Sequence, residues 1–237
     1  SFKVRVPMTF PLNTRIHGSA FFNFDINAKV TDMSGETHEA QTSLPLSNRN
    51  AILVSNLPDK SLKDSLKSIV FAYKNLLGEE VEANVRYKFD NGFWNEVKTN
   101  STITIDKEFA SGLHHLEAVC GTDTLKHNFV VFSLHDKKPV LFTHDWFYAS
   151  ARQFPSDGSP VYVQVASSDV GNRIYYTILS GNKVVESGSK VFNNNVFTRA
   201  LKYDDSYGDG ITIALAWVAE GKLYEHNLQI YRPVPDT

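Results

Sequence analysis

The sequence predicts an all-β protein built as tandem seven-stranded, Ig-like antiparallel β-sandwiches. Three observations predict it. Residues 22–30 alternate with a strict period of two, Phe22, Phe24, Ile26, Ala28 and Val30 on one face, Asn23, Asp25, Asn27 and Lys29 on the other, the signature of a strand with one packed and one wet face. Short β-branched and aromatic runs then recur, separated by Gly, Asn and Asp turn signals. A helical period is nearly absent.

The first strand leads into Thr31-Asp32-Met33-Ser34-Gly35, a turn in which Asp32 and Ser34 bond their own backbone and Gly35 takes positive φ. Strands follow at Ile52–Val54, Ser68–Tyr73, Val81–Phe89, Ser101–Ile105, Leu113–Val119 and Asn128–Leu134. Asp59 to Lys67, with Leu62 and Leu66 four apart, reads either as a short helix or as a strand-joining loop. At Asp136-Lys137-Lys138-Pro139 the chain turns charged and then meets proline, so a domain boundary and a hinge are expected there.

Beyond it the plan repeats: Val140–Tyr148, Val161–Val165, Ile174–Ser180, Lys183–Ser187, Val196–Lys202, Ile211–Val218 and Leu223–Tyr231. That is the strand number of an Ig-like sandwich. Ile211, Ile213, Leu215 and Trp217 share one face and are expected in the core. The division that results is 1–47 as trailing strands of a preceding domain or an added hairpin, 48–137 as one sandwich and 138–237 as another.

Composition narrows the function classes. The chain has 237 residues, is 42% hydrophobic and carries a formal charge of -2. Two domains of about a hundred residues can each bury a core, and scattered Lys and Arg without a basic run argue against nucleic acid or a charge-driven membrane contact. A single cysteine, Cys120, excludes an internal disulfide framework and a cysteine-rich zinc site. No apolar run approaches the ~20 residues of a membrane helix.

Candidate sites are each weighed against a plainer role. The loop Asp204-Asp205-Ser206-Tyr207-Gly208-Asp209-Gly210 looks like a calcium loop. Counted from Asp205, however, Tyr207 and Ala216 stand where an EF-hand needs ligands. An inter-strand turn is the expectation, with an irregular calcium site left open. His114 and His115 are neighbours in a strand and leave opposite faces. His144-Asp145 lacks a nucleophile elbow.

Cys120 reads as a buried small hydrophobe rather than a nucleophile. Trp94, Trp146, Trp217, Tyr175 and Tyr176 form either a sugar-stacking platform or inter-sheet filling. Tyr175 and Tyr176 must face opposite ways, and Trp94, after an Asn-Gly turn, is the one expected to be exposed. No catalytic, cofactor or metal residues are assigned.

Three segments together resemble the macroglobulin (MG) domains of bacterial, Bacteroidetes-type alpha-2-macroglobulin-like proteins. They are Ile26-Asn27-Ala28-Lys29-Val30-Thr31-Asp32-Met33-Ser34-Gly35-Glu36-Thr37, then Tyr73-Lys74-Asn75-Leu76-Leu77-Gly78-Glu79-Glu80-Val81. The third is Tyr176-Thr177-Ile178-Leu179-Ser180-Gly181-Asn182-Lys183 with Tyr207-Gly208-Asp209-Gly210 and Leu215-Ala216-Trp217-Val218.

The resemblance implies sandwiches strung as beads in a cell-envelope endopeptidase inhibitor, whose bait segment is cut so that the molecule rearranges and traps the protease. The implied partners are other domains of the parent chain and, through the parent, a protease. The family's thioester needs Cys-Gly-Glu-Gln, whereas Cys120-Gly121 is followed here by Thr122-Asp123. Phe192-Asn193-Asn194-Asn195 is the most polar run and too short for bait. The expectation is a non-catalytic scaffold without cofactor, with a carbohydrate-binding or adhesin module as the alternative.

Overall fold

The computed structural model describes residues 21–31, 37–47, 51–75 and 77–234. The turn expected at 31–35 falls largely outside them. Strand β1 (Phe21–Thr31) pairs antiparallel with β2 (Thr37–Ser47). Along β1 the expected alternation holds where side chains are described. Asp25, Asn27 and Lys29 are exposed, while Ile26 and Ala28 are half-buried.

The chain then runs through β3 (Ala51–Ser55), β4 (Lys60–Leu62), β5 (Ser68–Asn75), β6 (Asn84–Phe89), β7 (Asn95–Lys98), β8 (Thr102–Thr104), β9 (Gly112–Cys120) and β10 (Asp123–Phe132). It continues with β11 (Trp146–Ala149), β12 (Val161–Ser180), β13 (Lys183–Leu201), β14 (Gly210–Ala219) and β15 (Lys222–Tyr231). Two compact units result. One comprises Ser1–Leu57, Ser68–Thr104 and Glu117–Lys126, the other Pro58–Lys67, Ile105–Leu116 and His127–Thr237.

In the first unit a three-stranded sheet, β3-β5-β8, packs against β6, which pairs with β7. Ile69 and Phe71 from β5 and Val85 and Tyr87 from β6 are buried between the layers, with the Phe71 and Tyr87 rings 5.2 Å apart. Alternate residues of each strand therefore supply the core, as a two-layer sandwich requires.

In the second unit β4 lies parallel to β10, Lys60 opposite Val130. The possible helix at 59–67 is thus a short strand and a turn. Ser65 donates its N–H to the Leu62 carbonyl at 3.0 Å, and Asp64 takes φ 67°. Two turns of helix could bury little there, whereas a strand satisfies its backbone against β10.

The remaining core of this unit is built by β11 to β15. β12 is flanked on one side by β13 along most of its length. On the other side it meets β11 at residues 163–166 and β14 at residues 174–179. Two pairs of predicted strands are continuous: 161–165 with 174–180 in β12, and 183–187 with 196–202 in β13. Register shifts between Ser167 and Arg173 let the long hairpin bend so that its two halves serve different parts of the sandwich.

Ile211, Ile213, Leu215 and Trp217 are all buried, as the alternation of β14 predicts. At the start of β14, Gly210 has φ +129° and a Cβ there would run into the Ile230 carbonyl oxygen. Only glycine lets β14 and β15 approach at that point.

The joint expected to hinge at Asp136–Pro139 is fastened instead. The Val196 N–H donates to the Lys137 carbonyl at 3.2 Å, and Gln164 Nε2 donates to the Ser133 carbonyl at 3.1 Å. Phe132 packs edge-on against Trp146 and Tyr148, centroids 5.1 and 4.7 Å away. The hinge reading is corrected by these contacts, which lie within one unit. Among the described residues, no helix is long and apolar enough to cross a membrane.

Candidate functional site

A polar and aromatic cluster surrounds Trp217, which is 1% exposed. Its position in β14 places it opposite Ile174 of β12 and Tyr224 of β15. Tyr224 and His226 leave the same face of β15 two residues apart and stack on the indole, with centroids 5.7 Å away in both cases. Phe192 closes the other side edge-on at 5.5 Å. Trp217 Nε1 donates to the His144 carbonyl at 3.1 Å, which anchors the segment before β11 over the sheet.

Two His–carboxylate pairs complete the cluster. His144 Nδ1 donates to Asp169 Oδ1 at 2.8 Å, and Ser167 Oγ donates to Asp169 Oδ2 at the same distance. His226 Nε2 donates to Asp145 Oδ1 at 2.6 Å. Burial alone pushes the Asp169 carboxyl up, but the hydrogen bonds from Ser167 and His144 outweigh it and hold the group below the ordinary carboxylate range.

This arrangement contains the residue types of a hydrolytic triad in the wrong order. A triad needs the serine hydroxyl bonded to the imidazole and the carboxylate behind it. Here Asp169 stands between Ser167 and His144, and Ser167 is fully buried. The hydroxyl is therefore spent on a carboxylate instead of facing a base. The sequence places His144 next to Asp145, but each bonds a different distant residue. Asp169 and His226 carry no local signal and emerge only from the folded pairing.

A second cluster surrounds Trp146, which is half-buried. Its Nε1 donates to Gln164 Oε1 at 2.8 Å, and Gln164, 1% exposed, also donates to the Ser133 carbonyl and the Thr198 hydroxyl. Lys60 lies 4.2 Å over the indole and donates to the Phe147 carbonyl. Burial lowers the Lys60 pKa, with Asp145 opposing that shift. Each polar group is paired, as a buried network must be.

The other candidates separate. Cys120 is 2% exposed, and burial, followed by the nearby Asp123 charge, raises its thiol pKa. A nucleophilic cysteine requires the opposite shift. His114 Nε2 donates to the Ala110 carbonyl, whereas His115 Nδ1 meets Asn128 Oδ1, so the two rings do diverge.

The Asp204–Gly210 segment is a turn containing a 3-10 element at Asp205–Tyr207. Asp204 Oδ1 accepts from the Ser206 N–H at 2.9 Å, and the Tyr203 hydroxyl donates to the Gly208 carbonyl at 2.8 Å. Among the described residues, no group of three His, Cys, Asp or Glu side chains is arranged to hold a metal ion. Phe192-Asn193-Asn194-Asn195, the polar run weighed as bait, lies inside β13, and Phe192 is fully buried.

The tryptophans do not share a platform. Trp217 is buried and Trp146 half-buried, while Trp94 is 42% exposed beside Phe93 at 94%. Lys88 and Arg86 lie 4.8 and 5.6 Å from the centre of the Trp94 ring. Tyr175 is exposed and Tyr176 half-buried, on opposite faces.

No protein-family model and no curated protein matches the chain. Among solved structures, the native conformation of E. coli alpha-2-macroglobulin matches at 10% identity with a TM-score of 0.35, covering 90% of this chain and 17% of that one. The BSP domain of a biofilm-associated protein matches at 9% identity with a TM-score of 0.26, covering 89% of this chain and 42% of that one. The chain thus spans less than half the length of either.

Proposed function

We propose that this chain is a non-catalytic structural segment of a bacterial alpha-2-macroglobulin-like protein, an endopeptidase inhibitor of the cell envelope. In this reading its MG-type sandwiches set the spacing between the parts that are cut and the parts that trap.

The observation that carries the non-catalytic reading is the bonding around Trp217. His144, Asp145, Ser167, Asp169 and His226, the residue types of acid–base chemistry, are engaged with one another in bonds that pin turns to the sheet. The motifs at 26–37, at 73–81, and at 176–183 with 207–210 and 215–218 support the family. Cys120 followed by Thr122 and Asp123 supports a segment outside the thioester region.

Assays of the 237-residue chain against peptide, ester and glycoside substrates test the reading. No turnover above buffer is expected. Turnover that disappears in His144→Ala or Asp169→Ala would overturn it.

A second reading, a carbohydrate-binding or adhesin module, is favoured by the exposed Phe93–Trp94 pair flanked by Arg86 and Lys88. Glycan binding that is lost in Trp94→Ala would establish it, and its absence across a broad glycan panel would remove it.

A further inference from the structure

We propose that the second unit holds a binding site for a long-chain carboxylate, an acyl chain with a single anionic head, which goes beyond the structural role above. The site is a cavity of about 730 Å³ between the bent β12–β13 hairpin and residues 134–137. Its size falls within the roughly 300–1,000 Å³ of small-molecule sites.

The floor is formed by Val163, Val165, Ile174, Ile178, Ile213 and Leu215. Each is buried, with 2 to 7% exposure. Such a surface offers no hydrogen bond to a polar ligand. Sandwich interiors ordinarily leave few voids larger than a water, so an open apolar recess of this volume calls for an occupant.

The rim defines the head group. It carries Lys137, Lys190 and Arg199 against Asp136 and Glu186. Both carboxylates are already engaged. Glu186 accepts from Arg199 Nη1 at 2.7 Å and from the Tyr176 hydroxyl at 3.0 Å. Asp136 accepts from the Ser133 N–H at 2.6 Å and from the Ser111 hydroxyl at 2.9 Å.

Lys137 and Lys190 are exposed. Among the described residues, no hydrogen bond or ion pair engages either ammonium. Lys190 lies 5.2 Å over the Phe197 ring. Two cations at the mouth of an apolar recess fit one carboxylate at the end of a hydrocarbon chain. Together with Arg199, Lys190 also acts on the Glu186 carboxylate and helps hold its pKa down, so a neutral amphiphile would leave Lys137 as the cation without an anionic neighbour.

The test is calorimetric titration of the whole chain with dodecanoate and with dodecanol, each below the concentration at which it self-associates. Saturable one-site binding of dodecanoate is expected, with dodecanol about tenfold weaker, the scale of two lost surface ion pairs. Lys137→Glu with Lys190→Glu changes exposed side chains, and unchanged dodecanol binding by the same variant shows that the recess is intact. The double reversal should weaken dodecanoate about tenfold and leave dodecanol unchanged. No saturable binding of dodecanoate, equal affinity for the acid and the alcohol, or indifference of dodecanoate to the double charge reversal would each overturn the proposal.

Discussion

Tyr176 of β12 sits directly across the ladder from Gly188 of β13, and its ring occupies the space a side chain at 188 would need. A Cβ at that position would stand 2.7 Å from the phenol oxygen and 2.9 Å from Cζ. The missing side chain lets the hydroxyl cross to Glu186, which Arg199 grips from the other side. A glycine thus positions one wall of the cavity.

Gly188→Ala should therefore displace the Tyr176 ring and destabilise the fold by about 1 kcal/mol, the order of mild overpacking with a lost hydrogen bond. In a Tyr176→Ala background the same change should be neutral or stabilising, because the obstructing ring is gone. Urea unfolding of the four proteins in this double-mutant cycle reads the coupling directly.

Trp217→Ala removes the indole on which Tyr224 and His226 stack and the N–H that anchors the His144 carbonyl. The expected cost is roughly 3–5 kcal/mol, the range for deleting a large buried aromatic. Trp94→Ala, at an exposed position, should change stability by about 0.5 kcal/mol or less. Comparing their denaturant midpoints separates core from surface tryptophan.

Asp169 gives a pH dependence with a defined sign. Its carboxyl titrates lower in the folded protein than the ordinary value of about 3.9 in the unfolded chain. Its contribution is therefore fully present above that value and is lost as pH falls from it through the lower folded value. Asp169→Asn should lower stability at neutral pH and flatten the stability profile below about pH 4. Equilibrium unfolding measured from neutral pH into that acid range checks both.

Much of this was legible in the sequence because local period and burial agree. The β14 face from Ile211 to Trp217, the opposed Tyr175 and Tyr176, and the exposed Trp94 follow from strand alternation and turn chemistry. Continuity within β12 and β13 was hidden by Ser167–Asn172 and Asn193–Asn195. These polar stretches resemble loops in sequence, but bulges keep them in the ladder. The Trp217 cluster was hidden for a different reason. His144 meets Asp169 25 positions away and Asp145 meets His226 81 positions away, and only the sheet order brings such partners together. The hinge expected from Lys137-Lys138-Pro139 failed because charge and proline signal a turn without revealing what the turn packs against.

Cys120 supplies a check on the first unit. With the side chain 2% exposed and the thiol pKa raised by burial, reaction with a thiol reagent should require opening of the fold. In native buffer its labelling should be far slower than that of a free thiol, and should become fast in denaturant. Rapid native labelling would contradict the packed position.

The central claim, a mechanical segment within a protease trap, is tested most directly on the parent protein mixed with an equimolar broad-specificity protease. Hydrolysis of a large protein and of a small peptide is then measured, and the cut sites are mapped by mass spectrometry. The account predicts suppressed protein hydrolysis, retained peptide hydrolysis, and first cuts outside residues 51–234. Unimpeded hydrolysis of the large protein, or a first cut within those residues, would contradict it.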